Sequence, residues 1–343
     1  MNNFNDRFLK ACKGENTDQI PVWFMRQAGR YQSAYRELRT KYSIKDICKI
    51  PEVCCKVTYL PITQFNLDTA ILFSDIMIPL EPMGVDFDYK PGVGPVLSHP
   101  VRTYADVEGL SAVDISTSLD FTGKSLQLIT KDLKMPCIGF VGAPFTLASY
   151  MIEGGPSKNY RHLKSFMYTQ TSAWNLLMRK LTDLLADYSI YQVNSGAKAI
   201  QIFDSWIGCL SAEDYEIYVA PFMEDLMNKI KQSTDVPIIL FGVNTYHLFP
   251  ILREMPCDVL GVDWRHNIHE VWRDQIKYKK AVQGNLDPTL LFADWSIVKE
   301  RTNKILSGVD RPGFIFNLGH GILPGTPEEN VERLASHVNN FSL

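Results

Sequence analysis

Cys137-Ile138-Gly139-Phe140-Val141 and Ala199-Ile200-Gln201-Ile202-Phe203 are short, nearly continuous apolar runs. Each ends abruptly, the first at Gly142-Ala143-Pro144 and the second at Asp204-Ser205. A strand with one face in water alternates apolar and polar residues. A strand covered on both faces by helices, as in a parallel sheet, does not. Six further runs of this kind stand at residues 21–25, 69–73, 237–241, 259–262, 280–283 and 314–317. Helical signals fill the gaps. Residues 171–194 place Leu177, Leu181, Leu184 and Leu185 at helical spacing, and Ser211-Ala212-Glu213-Asp214 is a cap pattern ahead of a helix over 215–231. Thr326-Pro327-Glu328-Glu329 reads as a capping box with proline at the first helical position, starting a helix that runs to about Val338. Eight strands alternating with helices predict an α/β fold, a single (β/α)8 TIM-type barrel over residues 1–343; a doubly wound open sheet is the alternative. The Gly- and Pro-rich stretch 81–101, with Lys90-Pro91-Gly92-Val93-Gly94-Pro95 at its centre, reads as an ordered excursion after the second strand.

In a barrel, whatever follows each strand opens onto one face, where barrel enzymes keep their chemistry. Here those positions hold Arg26-Gln27-Ala28-Gly29-Arg30, Ser74-Asp75, Gly142-Ala143-Pro144 with Tyr150 beyond, and Asp204-Ser205. Gly242-Val243-Asn244, Asp263-Trp264, Gly284-Asn285 and Gly319-His320-Gly321 complete the set. Two arginines four residues apart suit carboxylates, through forked, charge-assisted hydrogen bonds. Asp75 follows Ile71-Leu72-Phe73, so it should be partly desolvated and in need of N–H donors or a cation. Together they point to a ligand that carries both carboxylates and N–H groups.

Composition sets the limits. With 45% hydrophobic and 21% charged residues, the chain has ordinary globular composition. A net charge of −3 gives no support for nucleic-acid binding, and a polyanionic ligand would need a local basic site. The seven cysteines are odd in number, form no CxxC and lie partly within apolar runs, which predicts reduced, mostly buried thiols and a cytoplasmic location. Met1 to Lys10 has no apolar signal core, and no stretch approaches the ~20 apolar residues of a membrane span. No phosphate-binding fingerprint or complete metal-ligand set is visible, so no cofactor and no metal are expected.

The segment Pro21-Val22-Trp23-Phe24-Met25-Arg26-Gln27-Ala28-Gly29-Arg30-Tyr31 resembles the N-terminal signature of uroporphyrinogen decarboxylases. Gly139 to Thr146, running on to Tyr150-Met151-Ile152-Glu153-Gly154-Gly155, resembles their second signature. Phe73-Ser74-Asp75-Ile76, Gln283-Gly284-Asn285-Leu286-Asp287-Pro288 and Asn317-Leu318-Gly319-His320-Gly321-Ile322 also match, in family order over nearly the whole chain. The resemblance implies a cofactor-free homodimeric barrel that decarboxylates the acetate side chains of uroporphyrinogen in haem biosynthesis. It implies that Arg26 and Arg30 hold substrate carboxylates, with Gln27, Ala28 and Gly29 lining the same wall. Asp75 would accept the pyrrole N–H groups, Tyr150, Ser205 and His320 would touch substrate carboxylates or the reacting ring, and Arg26 would also serve proton delivery. The chain departs from the family's common pattern at Gln32-Ser33-Ala34, where Leu-Pro-Glu is frequent, and at Val243, where a basic residue is frequent.

Blander readings stand beside these. Arginines at four-residue spacing usually mark a solvated helix face, an Asp after a strand can be a helix cap, and a Tyr can be a core residue. Asp263 and Asn285 can serve only to fix loops. His266 and His269 lack the further ligands a metal would need. Two rivals are a zinc-dependent corrinoid methyltransferase, whose His-x-Cys pattern fails at His247-Leu248-Phe249, and a non-catalytic tetrapyrrole carrier, which would not need Asp75.

Overall fold

The computed structural model describes residues 4–90 and 92–341. Seven parallel strands curl into one sheet, each paired with the next along the chain. They are β1 (Ala70–Ile71), β4 (Cys137–Gly142), β5 (Ala199–Asp204), β6 (Ile238–Gly242), β7 (Val259–Gly261), β8 (Ala281–Leu286) and β9 (Phe314–Leu318). The two edges, β1 and β9, are joined by the segment around Val22. Val22 forms a parallel bridge to Phe316. Phe316 N donates to Pro21 O at 2.9 Å, and Asp68 N, entering β1, donates to Val22 O at 2.9 Å. The first expected strand is therefore a single bridge and not a ladder. Pro21 has no N–H to give, and the Val22 N–H goes to the Asp68 carboxylate at 2.8 Å instead of to a carbonyl. Eight chain segments still surround the barrel axis.

The two-sided burial expected of the runs holds: β4, β5, β6, β7, β8 and β9 are buried almost throughout. Inside the barrel sit Trp23, Ile138, Ala199, Ile239, Val259 and Ile315. Outside, a larger apolar layer packs the sheet against the helices, above all Thr171–Asn194. Gln201 interrupts an apolar run because it points inward to a polar layer, in which Trp23 Nε1 donates to Gln283 Oε1 at 2.9 Å and Gln283 Nε2 donates to Gln201 Oε1 at 3.3 Å.

Two helix expectations need correction. The segment 215–231 is split into Ala212–Tyr218 and Ala220–Ser233. Pro221 removes an amide and would clash with the carbonyl four residues back, which disfavours a continuous helix and suits the first turn of the second piece; Ser211 does cap the first piece, accepting from Asp214 N at 3.0 Å. The final helix is Glu328–Asn339, with Pro327 as its cap residue and no side-chain cap. The capping box does not form: the Thr326 hydroxyl donates back to Leu323 O at 2.8 Å. The Glu328 carboxylate leaves the helix to accept from Ser33 N and Gln64 Nε2, both at 2.6 Å.

The excursion after β1 is a 3-10 turn, Ile78–Met83, followed by an antiparallel hairpin of β2 (Phe87–Lys90) and β3 (Gly94–Leu97). Pro91 lies outside the described residues. Leu97 N donates to Gly154 O at 2.9 Å, which ties the hairpin to the helix Pro144–Glu153 at the carboxyl ends of the strands. All seven cysteines are free, five of them buried. No helix among the described residues is long and apolar enough to cross a membrane.

Candidate active site

A cavity of about 250 Å3 opens at the carboxyl ends of the strands. Its floor is aromatic. Phe140, Phe203 and Phe241 come from three adjacent strands and meet edge to face at 5.5 and 6.3 Å between ring centres. Edge-to-face packing suits the ring quadrupoles and leaves an apolar, rigid surface. Polar groups stand around it: Arg26, Ser74, Asp75, Tyr150, Ser205 and His320.

Arg26 sits at the tip of a turn closed by Gln27 N donating to Phe24 O at 3.0 Å, with φ at 58°. A left-handed backbone is costly for a non-glycine residue and persists where surrounding structure enforces it. Here Asn317 Oδ1 accepts from Met25 N at 3.1 Å, Ile322 N donates to Met25 O at 2.9 Å, and Gln27 is turned into the core, accepting from Phe24 N and donating to Thr69 O, both at 3.3 Å. Gln27 thus supports the turn with its side chain. The Arg26 side chain lies across Gly321, where a Cβ would come within 2.5 Å of Arg26 Cδ. Among the described residues, no carboxylate pairs with its guanidinium. Ala28 reaches the cavity wall; Gly29 and Arg30 do not. Arg30 is exposed and borders a separate surface hollow with Tyr31, Arg36 and Glu328. The structure therefore does not bring the two arginines together at one cavity. At the departure from the common pattern, Gln32 accepts from Gly29 N at 3.2 Å and donates to Gln64 at 3.0 Å. With the Glu328 contact to Ser33, this gives the turn a polar lock.

Asp75 is half-buried. Its Oδ1 accepts from Met77 N at 2.9 Å, so the cap-like reading of this residue is true of one oxygen. Burial pushes the carboxyl above its usual range, against the opposing pull of the Met77 amide, Tyr89 and the Arg26 charge. The Tyr89 hydroxyl, carried in by the hairpin, lies buried beside it. Such a carboxylate is short of donors and gains from any N–H brought to it.

His320 is held by the glycines on either side. A Cβ on Gly319 would come within 2.3 Å of Trp264 N, so the chain must pass that close. The imidazole meets Phe241 and Trp264 edge to face at 6.3 and 6.2 Å. Burial, with the charges of Arg26 and Arg265, lowers its pKa to about 4, so the ring is neutral at pH 7. Tyr150 lies tilted against Trp206 at 4.3 Å between ring centres, and burial beside Asp75 pushes its hydroxyl well above the usual range, so it remains a donor. Ser205 follows β5 at the cavity wall.

Asp263 and Asn285 prove to be loop fixers. Asp263 accepts from Arg265 N at 3.0 Å and from Arg265 Nη1 at 2.7 Å, and Asn285 Nδ2 donates to Asp263 O and His266 O at 2.7 Å. His247 and His269 are turned to backbone carbonyls. No group of three or more His, Cys, Asp or Glu side chains placed to hold a metal occurs among the described residues. Sequence reasoning missed the aromatic floor, Tyr89, Pro95 and Trp206. The floor phenylalanines lie within the apolar runs, where the strand pattern alone does not say which face they take.

The family model for uroporphyrinogen decarboxylase matches residues 3–341. A uroporphyrinogen decarboxylase of Staphylococcus epidermidis is 48% identical over 340 residues, 98% of this chain and 96% of its own. The Bacillus subtilis protein of the same name is 48% identical over 341 residues, 99% of this chain and 96% of its own. Among solved structures, a methyltransferase from Methanosarcina mazei superposes with a TM-score of 0.80 at 20% identity, covering 97% of both chains, which speaks for the barrel alone. A match from end to end at this identity, on a barrel whose strand ends carry Arg26, Asp75 and His320 into one cavity, places the chain in the uroporphyrinogen decarboxylase family.

Proposed function

We propose that the chain decarboxylates uroporphyrinogen, converting its four acetate side chains to methyl groups and releasing four CO2 to give coproporphyrinogen in haem biosynthesis. The observation that carries this reading is the meeting of a desolvated carboxylate, Asp75, with an arginine, Arg26, that no carboxylate among the described residues pairs, over an apolar floor. The substrate offers the complement of each: pyrrole N–H groups for Asp75, carboxylates for Arg26, and a flat ring for the phenylalanines.

A pyrrole can act as its own electron sink. Protonation of the ring carbon beside the acetate gives a cation. The C–C bond to the carboxylate then breaks, CO2 leaves, and its electron pair neutralises the ring. A second proton on the exocyclic carbon completes the methyl group, and the proton first added to the ring carbon leaves, which restores the pyrrole. Over the whole step, one carboxylate and one proton become one methyl group and one CO2. Asp75 stabilises the cationic ring through the N–H groups, a preorganised charge in a low-dielectric site. Arg26 clamps a carboxylate in forked geometry and keeps its own proton tightly, so it orients a donor at the reacting carbon, a water or a neighbouring substrate carboxyl. Tyr150 and Ser205 donate to substrate carboxylates from the opposite wall, and neutral His320 offers a hydrogen bond without a charge. Arg30, on the exposed side of the same turn, meets a propionate that projects past the rim. The protein acts as a cytoplasmic homodimer, without a cofactor and without nucleic-acid or membrane partners.

Turnover of freshly reduced uroporphyrinogen, with chromatography of the products, tests this directly. Accumulation of seven- to four-carboxyl porphyrinogens is the expected result. Purified protein that binds the tetrapyrrole yet releases no CO2 would refute it.

A further inference from the structure

Thr146 and Tyr150 lie one turn apart on the helix Pro144–Glu153, so their side chains share a face. Thr146 is fully buried and uses its hydroxyl twice. It donates to Asp204 Oδ1 at 2.7 Å and accepts from Trp206 N at 3.3 Å. Asp204 ends β5, and Ser205 and Trp206 are the two residues that follow. Trp206 in turn lies against the Tyr150 ring at 4.3 Å and against Tyr160 edge to face at 5.3 Å. Three contacts, two polar and one aromatic, therefore join the helix that carries Tyr150 to the turn that carries Ser205. The residue before this helix, Ala143, offers no side-chain acceptor. Asp204 brings its carboxylate to that helix end from the neighbouring strand, where negative charge is favoured. Asp204 has no exposure at all, so it does not meet the substrate itself.

We propose that the Asp204–Thr146 pair is a positioning device for decarboxylation: it fixes the Tyr150 helix to the Ser205 turn and so sets the distance between two substrate contacts that come from different elements. The proposal rests on the reading of Tyr150 as a substrate contact. Thr146 is the residue to test, because valine matches its shape and deletes only the hydroxyl, while serine keeps the hydroxyl.

The experiment is a double-mutant cycle between Thr146→Val and Tyr150→Phe, with Thr146→Ser as the rescue, read as kcat and KM on uroporphyrinogen. A misplacement of about 1 Å can cost on the order of 10²-fold in rate. The expected result is a kcat about 10- to 100-fold lower for Thr146→Val, with KM within about threefold. Thr146→Ser should return to within about threefold of the parent. In the Tyr150→Phe background, the effect of Thr146→Val should shrink to about twofold or less, because the group it positions is gone. If Tyr150→Phe alone keeps the parental kcat, Tyr150 is not a substrate contact and the proposal falls with that reading. If Tyr150→Phe is impaired while Thr146→Val is not, or the two losses simply multiply, only the positioning role is overturned. Should Thr146→Val fail to fold, Thr146→Ala deletes the same hydroxyl without apolar crowding and enters the same cycle.

Discussion

Replacing Asp204 by asparagine should change how the stability of this protein depends on pH. Asp204 is fully buried, and its Oδ1 accepts from the Thr146 hydroxyl at 2.7 Å. Burial outweighs that bond and raises its pKa from 3.8 to about 7. Below pH 3.8, the folded and unfolded chains both carry the proton, and the shift contributes nothing. As pH rises from 3.8 towards 7, the unfolded chain ionises while the folded one does not, so stability is lost at ~1.4 kcal/mol per pH unit. Above pH 7, both are ionised and the loss is constant, at ~4 kcal/mol. Asparagine does not titrate, keeps an oxygen for Thr146, and presents an amide towards Tyr215, whose buried hydroxyl lacks a partner. The difference in unfolding free energy, variant minus parent, should therefore grow by ~3 kcal/mol between pH 5 and pH 9, with most of the rise below pH 7.5. Equilibrium urea denaturation of both proteins across that range measures it, and subtraction removes every other titrating group. Parallel curves would show that Asp204 is ionised throughout, and the argument from its burial would be wrong.

Other outcomes follow from the same geometry. Arg26→Lys keeps the charge but loses the fork, so kcat/KM should fall by about tenfold or more with the melting temperature nearly unchanged; parental kinetics would exclude Arg26 as a carboxylate clamp. Asp75→Asn should slow single-turnover decarboxylation by about 10²–10³-fold while product binding changes little; weakened binding with a normal single-turnover rate would make Asp75 a docking group only. Asp68→Ala removes the acceptor of the buried Val22 N and one of the two carboxylates that bond Arg7, at the point where the barrel closes, and should cost about 1–3 kcal/mol in urea unfolding, as an unsatisfied buried amide does. His320 stays neutral down to about pH 4 in the folded chain, so stability should be lost as pH falls from 6.5 to 4, when the unfolded chain gains a proton and the folded one does not. His320→Asn should flatten that limb of the profile, and an unchanged limb would place the ring in water.

The runs at β4 to β9 were legible because burial on both faces is a property of local sequence. Where a partner distant in sequence decides the outcome, the sequence is silent. Val22 becomes a bridge because Asp68 takes its amide, and Glu328 turns away from its own helix because Ser33 and Gln64 bond its carboxylate. The site divides the same way. Arg26, Asp75, Tyr150, Ser205 and His320 stand where strands end, and strand ends can be read. Arg30 lies in the same signature only four residues from Arg26, yet it leaves the cavity, because Arg26 takes a left-handed turn that linear spacing does not reveal.

That turn is also the point at which fold and chemistry meet. Arg26 carries a charge that no carboxylate among the described residues pairs, on a strained backbone, near a carboxyl whose pKa burial has raised. Each feature by itself destabilises the empty protein, and a ligand with both carboxylates and N–H groups relieves both charges at once. The supports lie outside the cavity: Asn317 and Ile322 hold the arginine turn, and Thr146 and Asp204 hold the opposite wall. A substrate that sheds its acetates one after another must be gripped anew each time with fewer carboxylates. A site whose geometry is set by buried hydrogen bonds, and not by the substrate's own charges, keeps its shape through all four rounds.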